Sequence, residues 1–376
     1  MKPTALYIHI PFCDHKCIYC DFYSIITTDN IEKFLSALKD EINYYSKLYS
    51  AERKIISLFF GGGTPSLMNA TYISGIIDHI NKNFSFGKEP EITLETNPGT
   101  VDEKKLTDFR KAGINRISIG IQSFDENDLQ FLTRIHDKQT AINTVHNAVK
   151  SGFENISIDL IFNLPGQTKE KWKANLEQAV RLPIKHISAY SLILERGTIL
   201  NKMVLDGEVK IQGADYDAKL YELTIDFLSN NGFTQYEVSN FAKPGYECIH
   251  NKAYWEYKDY IGFGPSAHSF VNGKRWWNYS SLKRYISEVK EKQNAMMNYE
   301  LLNKDQMKNE YIMLALRSKG LNLRDYINKF GSDWLDSHLK DFEFLRKENF
   351  IEYDHNSIKL TPKGYAICDE ILSKIL

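Results

Sequence analysis

The chain has 376 residues, 43% of them hydrophobic, with 47 Lys and Arg set against 48 Asp and Glu. A chain of this size can bury a large core without covalent help, and its balanced charge gives no broad field to attract nucleic acid or an anionic membrane. It opens without a charged, then apolar, leader and has no apolar run long enough to span a bilayer, so a cytoplasmic, non-membrane protein with five reduced cysteines is expected.

In chain order, the first predicted strand, "ALYIHIP" at residues 5–11, runs into a loop that carries Cys13, Cys17 and Cys20 within eight positions. Clustered reduced thiols point to metal. Structural zinc is closed by four ligands, often as two CxxC pairs, and no second pair of that spacing occurs. An iron–sulfur cubane asks one thiolate of each iron. Three thiolates on a short C-x3-C-x2-C loop would hold three corners and leave the fourth iron to a small chelating ligand.

Five more β-rich runs follow: "KIISLFFGGG" (54–63), "EITLETNP" (91–98), "RISIGIQ" (116–122), "NISIDLIFNLP" (155–165) and "HISAYSLILE" (186–195). Segments of helical length separate most of them, which predicts parallel strands with right-handed crossovers. Six units are fewer than the eight of a closed barrel, so the expected α/β fold is a partial (β/α)6 TIM-like barrel over residues 1–205. Polar residues that close such strands gather on one rim. Here they are Gly62, Gly63 and Thr64 after the second strand, Glu95 and Asn97 on the third, and Gln122 on the fourth, with Asp159 inside the fifth. A glycine run is as often a tight turn as a ligand cradle, and a buried Asp often only caps or pairs. Arg134 is either the partner of Asp159 or a solvated helix charge.

Residues 206–281 are read as a helix covering the barrel edge, followed by "ECIHNKAYWEYKDYIGFGPSAHSF". That segment groups His250, Asn251, Tyr254 and Trp255; a lone histidine there is more often a hydrogen-bonded core residue than a ligand. Gly262 and Gly264 suggest a tight turn before His268, which is not assigned as a ligand. Residues 282–376 have helical periodicity, then a hairpin turning at His355 and Asn356 and a helix with Pro362 in its first turn. Helices plus a hairpin predict a winged-helix-like domain. Residues 304–376 hold as many acidic as basic residues, so a docking or lid role is expected and nucleic acid is not.

The run "CDHKCIYC" matches the cluster motif of the radical S-adenosylmethionine (SAM) superfamily. The flanking "YIHIPFC" and "CDFYS" resemble the oxygen-independent coproporphyrinogen III oxidase family, and the likeness extends from residue 5 to about 280. This resemblance implies a 4Fe–4S cluster on Cys13, Cys17 and Cys20, with SAM chelating the open iron and undergoing one-electron cleavage. It puts Tyr7, Gly62, Gly63, Thr64, Glu95, Gln122, Arg134 and Asp159 among the SAM contacts. The family's oxidases carry a further cysteine two positions past the third, where this chain has Phe22, and a longer segment than the twelve residues that precede Cys13. Both departures favour the haem-chaperone branch of the family. So does the match of His250, Asn251, Tyr254 and Trp255 to the HNxxYW signature associated there with haem, which makes His250 a candidate axial ligand. The branch implies haem as cargo and acceptor haemoproteins as partners, with respiratory ones at the cytoplasmic membrane face as the expected class. Oxidative decarboxylation of coproporphyrinogen III is the alternative activity, and a haem-linked dimer is left open.

Overall fold

Six parallel strands form the centre of the computed structural model, which describes residues 1–376. They are β1 (Lys2–Ile10), β2 (Arg53–Gly62), β3 (Phe86–Thr96), β4 (Arg116–Gln122), β5 (Asn155–Phe162) and β6 (His186–Ser191), paired in that order. Helices cover the outer faces, so the strands are buried on both sides. That is why β4 reads as an almost unbroken isoleucine run and every residue in it except Gln122 is buried. Helix starts are set by side-chain caps: Asp102, Asp137 and Thr168 accept N–H groups from the first turns of helices Glu103–Lys111, Lys138–Lys150 and Lys169–Val180. The result is one core of 58 buried residues.

The sheet extends further than the sequence reading, which expected a barrel-edge helix and the HNxxYW segment over 206–281. The helix is present as Ala214–Asn230, but five short strands follow it in the chain. They are β7 (Thr234–Glu237), β8 (Asn240–Ala242), β9 (Asp259–Phe263), β10 (His268–Val271) and β11 (Lys274–Asn278). β8 and β7 continue the sheet antiparallel beyond β6; β9 pairs parallel with β1, and β10, β11 and β12 (Met296–Leu301) continue antiparallel from it. The six-strand arc therefore stays open while both of its edges are covered.

A boundary at residue 282 also differs from the packing. Leu282, Tyr285, Val289 and Ala295 belong to the barrel core, and β12 extends its sheet. The second core begins with helix Lys304–Leu316 and has 16 buried residues of its own. Its strands are β13 (Leu321–Asn322), β14 (Ile351–Tyr353) and β15 (Ser357–Leu360), with β15 in the middle. The hairpin turns over Asp354–Asn356, and Thr361 caps the helix that Pro362 begins. No helix of the molecule is long and apolar enough to cross a membrane.

Candidate functional site

Strand register aligns the C-terminal ends of the arc. Ile10 lies beside Gly62, Phe60 beside Leu94, Glu95 beside Ser118 and Gly120 beside Asp159. These ends and the cysteine loop enclose a cleft of about 400 Å3. Cys13, Cys17, Cys20, Gly62, Gly63, Thr64, Glu95, Gln122, Arg134 and Asp159 all line it. Tyr7 does not; it lies in a second cavity on the far side of the loop.

A chain of hydrogen bonds ties the thiols to the strand ends. Cys13 Sγ is 3.3 Å from Thr64 Oγ1, which accepts from Asn97 Nδ2 at 3.0 Å. Asn97 Oδ1 accepts from Arg134 Nη2 at 2.8 Å, and Arg134 Nη1 reaches Cys17 Sγ at 3.5 Å. Arg134 also donates to the Gly120 carbonyl at 2.6 Å. It is therefore neither the salt-bridge partner of Asp159 nor a solvated charge, but a brace between the loop and the end of β4. Thr133, just before it, was missed from sequence. Its φ is 56°, costly for a β-branched residue, and its Oγ1 accepts from Ile18 N at 3.3 Å and pairs with His15 Nε2 at 3.2 Å.

The glycine run works differently from a cradle of donors. Its N–H groups are already taken: Gly62 N by Glu95 Oε2, Gly63 N by the Ile10 carbonyl and Thr64 N by the Phe12 carbonyl. A Cβ on Gly63 would stand 2.6 Å from the Phe12 carbonyl oxygen, and one on Gly62, at φ 108°, would meet the His9 ring. The run thus allows β2 to close on the cysteine loop and leaves only acceptors for a ligand. Two acids add to this. Burial, followed by Asp159, pushes the Glu95 carboxyl up to about 8, and burial raises Asp159, although Ser118 Oγ donates to it at 3.3 Å. A cation placed between these two carboxyls would offset the cost of ionising them, so the cleft suits a ligand that brings a positive charge.

The residues fit a cluster better than a lone ion. No trio of His, Cys, Asp or Glu side chains converges tightly enough to hold one metal ion. A cubane instead asks each of three irons for one thiolate, so the three sulfurs need only face a common space, as they do here. Burial pushes the Cys20 thiol up to about 11 and raises Cys13, so both await a metal to favour the thiolate.

The HNxxYW segment forms helix Ile249–Trp255, which sits against β1, β2 and β9. Glu91 on β3 fixes its start, accepting N–H groups from Ile249 and His250, each at 3.1 Å, and the Cys248 thiol at 3.3 Å. Arg116, nearly fully buried, forms an ion pair with Glu91 at 3.9 Å. His250 departs from the expectation of an axial ligand. It is buried against the Phe59 ring, its Nδ1 pairs with Ser57 Oγ at 3.0 Å and its Nε2 with the Tyr254 hydroxyl at 2.9 Å, leaving neither nitrogen free. Burial lowers its pKa to about 3, as suits a neutral core imidazole. Tyr254 instead lines the second cavity, of about 380 Å3, with Tyr7, His9, Tyr23, Tyr260 and His268. Asp21 and Phe22 line both cavities, so the end of the cysteine loop is the wall between them.

A three-thiol loop over the C-terminal rim of an open parallel arc, facing a cation-receptive cleft, defines a radical SAM domain. The family model for the radical SAM superfamily matches residues 7–179, and that for the HemN C-terminal domain matches residues 302–367. A protein of Lactococcus lactis named heme chaperone HemW is 32% identical over 377 residues, covering 100% of this chain and 98% of the relative. Its namesake in Bacillus subtilis is 33% identical over 380 residues, covering 99% of each. Among solved structures, the coproporphyrinogen III oxidase HemN of Escherichia coli superposes with a TM-score of 0.85 at 25% identity, over 100% of this chain and 90% of that one. The chain belongs to the HemN-like haem-chaperone family of radical SAM proteins.

Proposed function

We propose that this chain binds haem and delivers it to acceptor haemoproteins, respiratory ones at the membrane face being the first to test, and that it carries a SAM-liganded 4Fe–4S cluster. The observation that carries this reading is the pair of adjoining cavities. One presents three thiols and two carboxyls, the other is walled by aromatic rings, and Asp21 and Phe22 are shared between them. Cys13, Cys17 and Cys20 would hold the cluster, which when bound supplies one-electron reduction of SAM. Glu95 and the acceptor side of the glycine run would hold the methionyl ammonium, and Asp159 and Gln122 would fix the rest of SAM. Arg134 and Thr133 keep the cysteine loop seated while ligands exchange. The likeness to HemN supports a second reading, oxidative decarboxylation of coproporphyrinogen III. Phe22, exposed where the family's oxidases have a further cysteine, favours the first. Anaerobically reconstituted protein incubated with haem, and separately with coproporphyrinogen III and SAM, decides between them. Stable haem binding without protoporphyrinogen supports the chaperone reading; turnover of coproporphyrinogen III overturns it.

A further inference from the structure

The second cavity contains an imidazole that the HNxxYW signature does not include. His268 opens β10, immediately after the turn in which Gly264, at φ 96°, packs against the His9 carbonyl. The residue is exposed, its ring lies against Trp277 with centroids 5.9 Å apart and planes at 23°, and neither ring nitrogen makes a hydrogen bond. The other histidine lining this cavity is already engaged: His9 Nδ1 pairs with the Tyr7 hydroxyl at 3.2 Å and His9 Nε2 with the Tyr23 carbonyl at 2.9 Å. His250 lies behind the wall with both nitrogens taken. His268 is therefore the cavity's one histidine with an unengaged nitrogen.

The walls suit a flat, apolar, conjugated ligand. Tyr254 and Tyr260 meet edge to face at 4.6 Å, and the hydroxyl of Tyr254 is held by His250. At about 380 Å3 and half-open to solvent, the cavity can take part of a macrocycle and leave its polar edge in water. We propose, resting on the haem-chaperone reading, that haem is carried in this cavity with His268 as the ligand of its iron. In this arrangement His250 is a positioning residue: it orients Tyr254 in the wall and does not touch the metal. Phe22 then stands between the haem and the cluster cleft, at the point where the two cavities meet.

The test uses the full chain, reconstituted anaerobically and titrated with ferric haem and, in parallel, with metal-free protoporphyrin. His268→Ala should weaken ferric haem by about tenfold or more and shift its Soret band, leaving iron–sulfur absorbance and protoporphyrin affinity unchanged. Free imidazole added to His268→Ala should restore the wild-type spectrum, which a purely structural defect would not allow. His250→Phe should keep the wild-type Soret position. Unchanged haem affinity and spectrum in His268→Ala, or equal loss of haem and metal-free protoporphyrin, overturns the ligand assignment alone. A wild-type protein that binds no haem overturns the chaperone reading, and this inference with it.

Discussion

Replacing Glu95 by Gln isolates the titrating group assigned to the SAM ammonium. Gln keeps an oxygen to accept the Gly62 N–H at 3.2 Å but cannot ionise. In the wild type, burial and then Asp159 raise this carboxyl from 4.5 to about 8. That displacement corresponds to at most about 5 kcal/mol of opposed ionisation, part of which water in the cleft relaxes. Because the folded value is the higher one, the folded chain keeps a proton that the unfolded chain has released. The stability of the ligand-free protein therefore falls as pH rises from about 4.5 through about 8. Glu95→Gln lacks this loss, so the two melting temperatures should lie closest near pH 5 and separate toward pH 9, with the variant the more stable. SAM binding has the opposite dependence. A cation needs the ionised carboxylate, so wild-type affinity gains a component that rises with pH up to about 8, and Glu95→Gln should bind about 10- to 100-fold more weakly above it. Isothermal titration in buffers of different ionisation enthalpy counts the protons exchanged, and SAM's own amine contributes equally to both proteins. If wild type and Glu95→Gln exchange the same number of protons on binding SAM between pH 6 and 8, the assigned contact is wrong.

Gly63→Ala should cost about 1–3 kcal/mol and several degrees of melting temperature, since its Cβ meets the Phe12 carbonyl at 2.6 Å and backbone must shift; an unchanged melt refutes the packing argument. Glu91→Ala leaves Arg116 buried without its counter-charge and the helix Ile249–Trp255 without its anchor, so chemical denaturation should show a loss of about 3–5 kcal/mol, and wild-type stability would contradict this. Cys17→Ala should hold no 4Fe–4S cluster by iron content and absorbance yet melt cooperatively within a few degrees of ligand-free wild type. A full cluster in this variant refutes the ligand set, and an unfolded variant refutes the loop's independence of metal.

The parallel arc was legible because strands buried on both faces read as continuous apolar runs, and the polar residue that ends each run falls on the rim. The three cysteines were legible because spacing alone restricts their chemistry. β8 and β10, of three and four residues, are too short to display a period, and their pairing depends on β6 and β9 rather than on themselves. The boundary at 282 was misplaced because a helical run does not reveal which core it faces. Residues Leu282, Tyr285 and Val289 have the same spacing whether they pack on the barrel or on the C-terminal helices. Glu91 and Arg116 carry no signal of their burial in the sequence; it follows from the pair they form between β3 and β4. For His250 and His268 the sequence pattern pointed to the histidine inside a signature. Only packing reveals that Ser57 and Tyr254 occupy both nitrogens of the first and that nothing occupies those of the second.

The cysteine loop has almost no secondary structure of its own, since residues 11–30 contain only turns, bends and one isolated bridge between Phe12 and Ile25. Much of what holds it is borrowed from elements outside it. Cys13 N donates to the Ile25 carbonyl and Ile25 N to the Pro11 carbonyl; the Phe12 and Ile10 carbonyls accept from the glycine run; Ile18 is held between Thr133 Oγ1 and Leu200 N. Two of these bonds close the loop on itself and the others tie it to the glycine run, Thr133 and Leu200; none of them involves a thiol, and the contacts of Cys13 with Thr64 and of Cys17 with Arg134 come in addition. In small zinc domains the metal supplies the folding energy, so losing a ligand unfolds the chain. Here backbone bonds already seat the loop against the glycine run, Thr133 and Leu200, and the thiol contacts with Thr64 and Arg134 add to a position that these bonds have set. The loop can therefore present three sulfurs to a common space before any iron arrives, and its end, Asp21 and Phe22, keeps the wall of the second cavity in place through assembly and loss of the cluster alike.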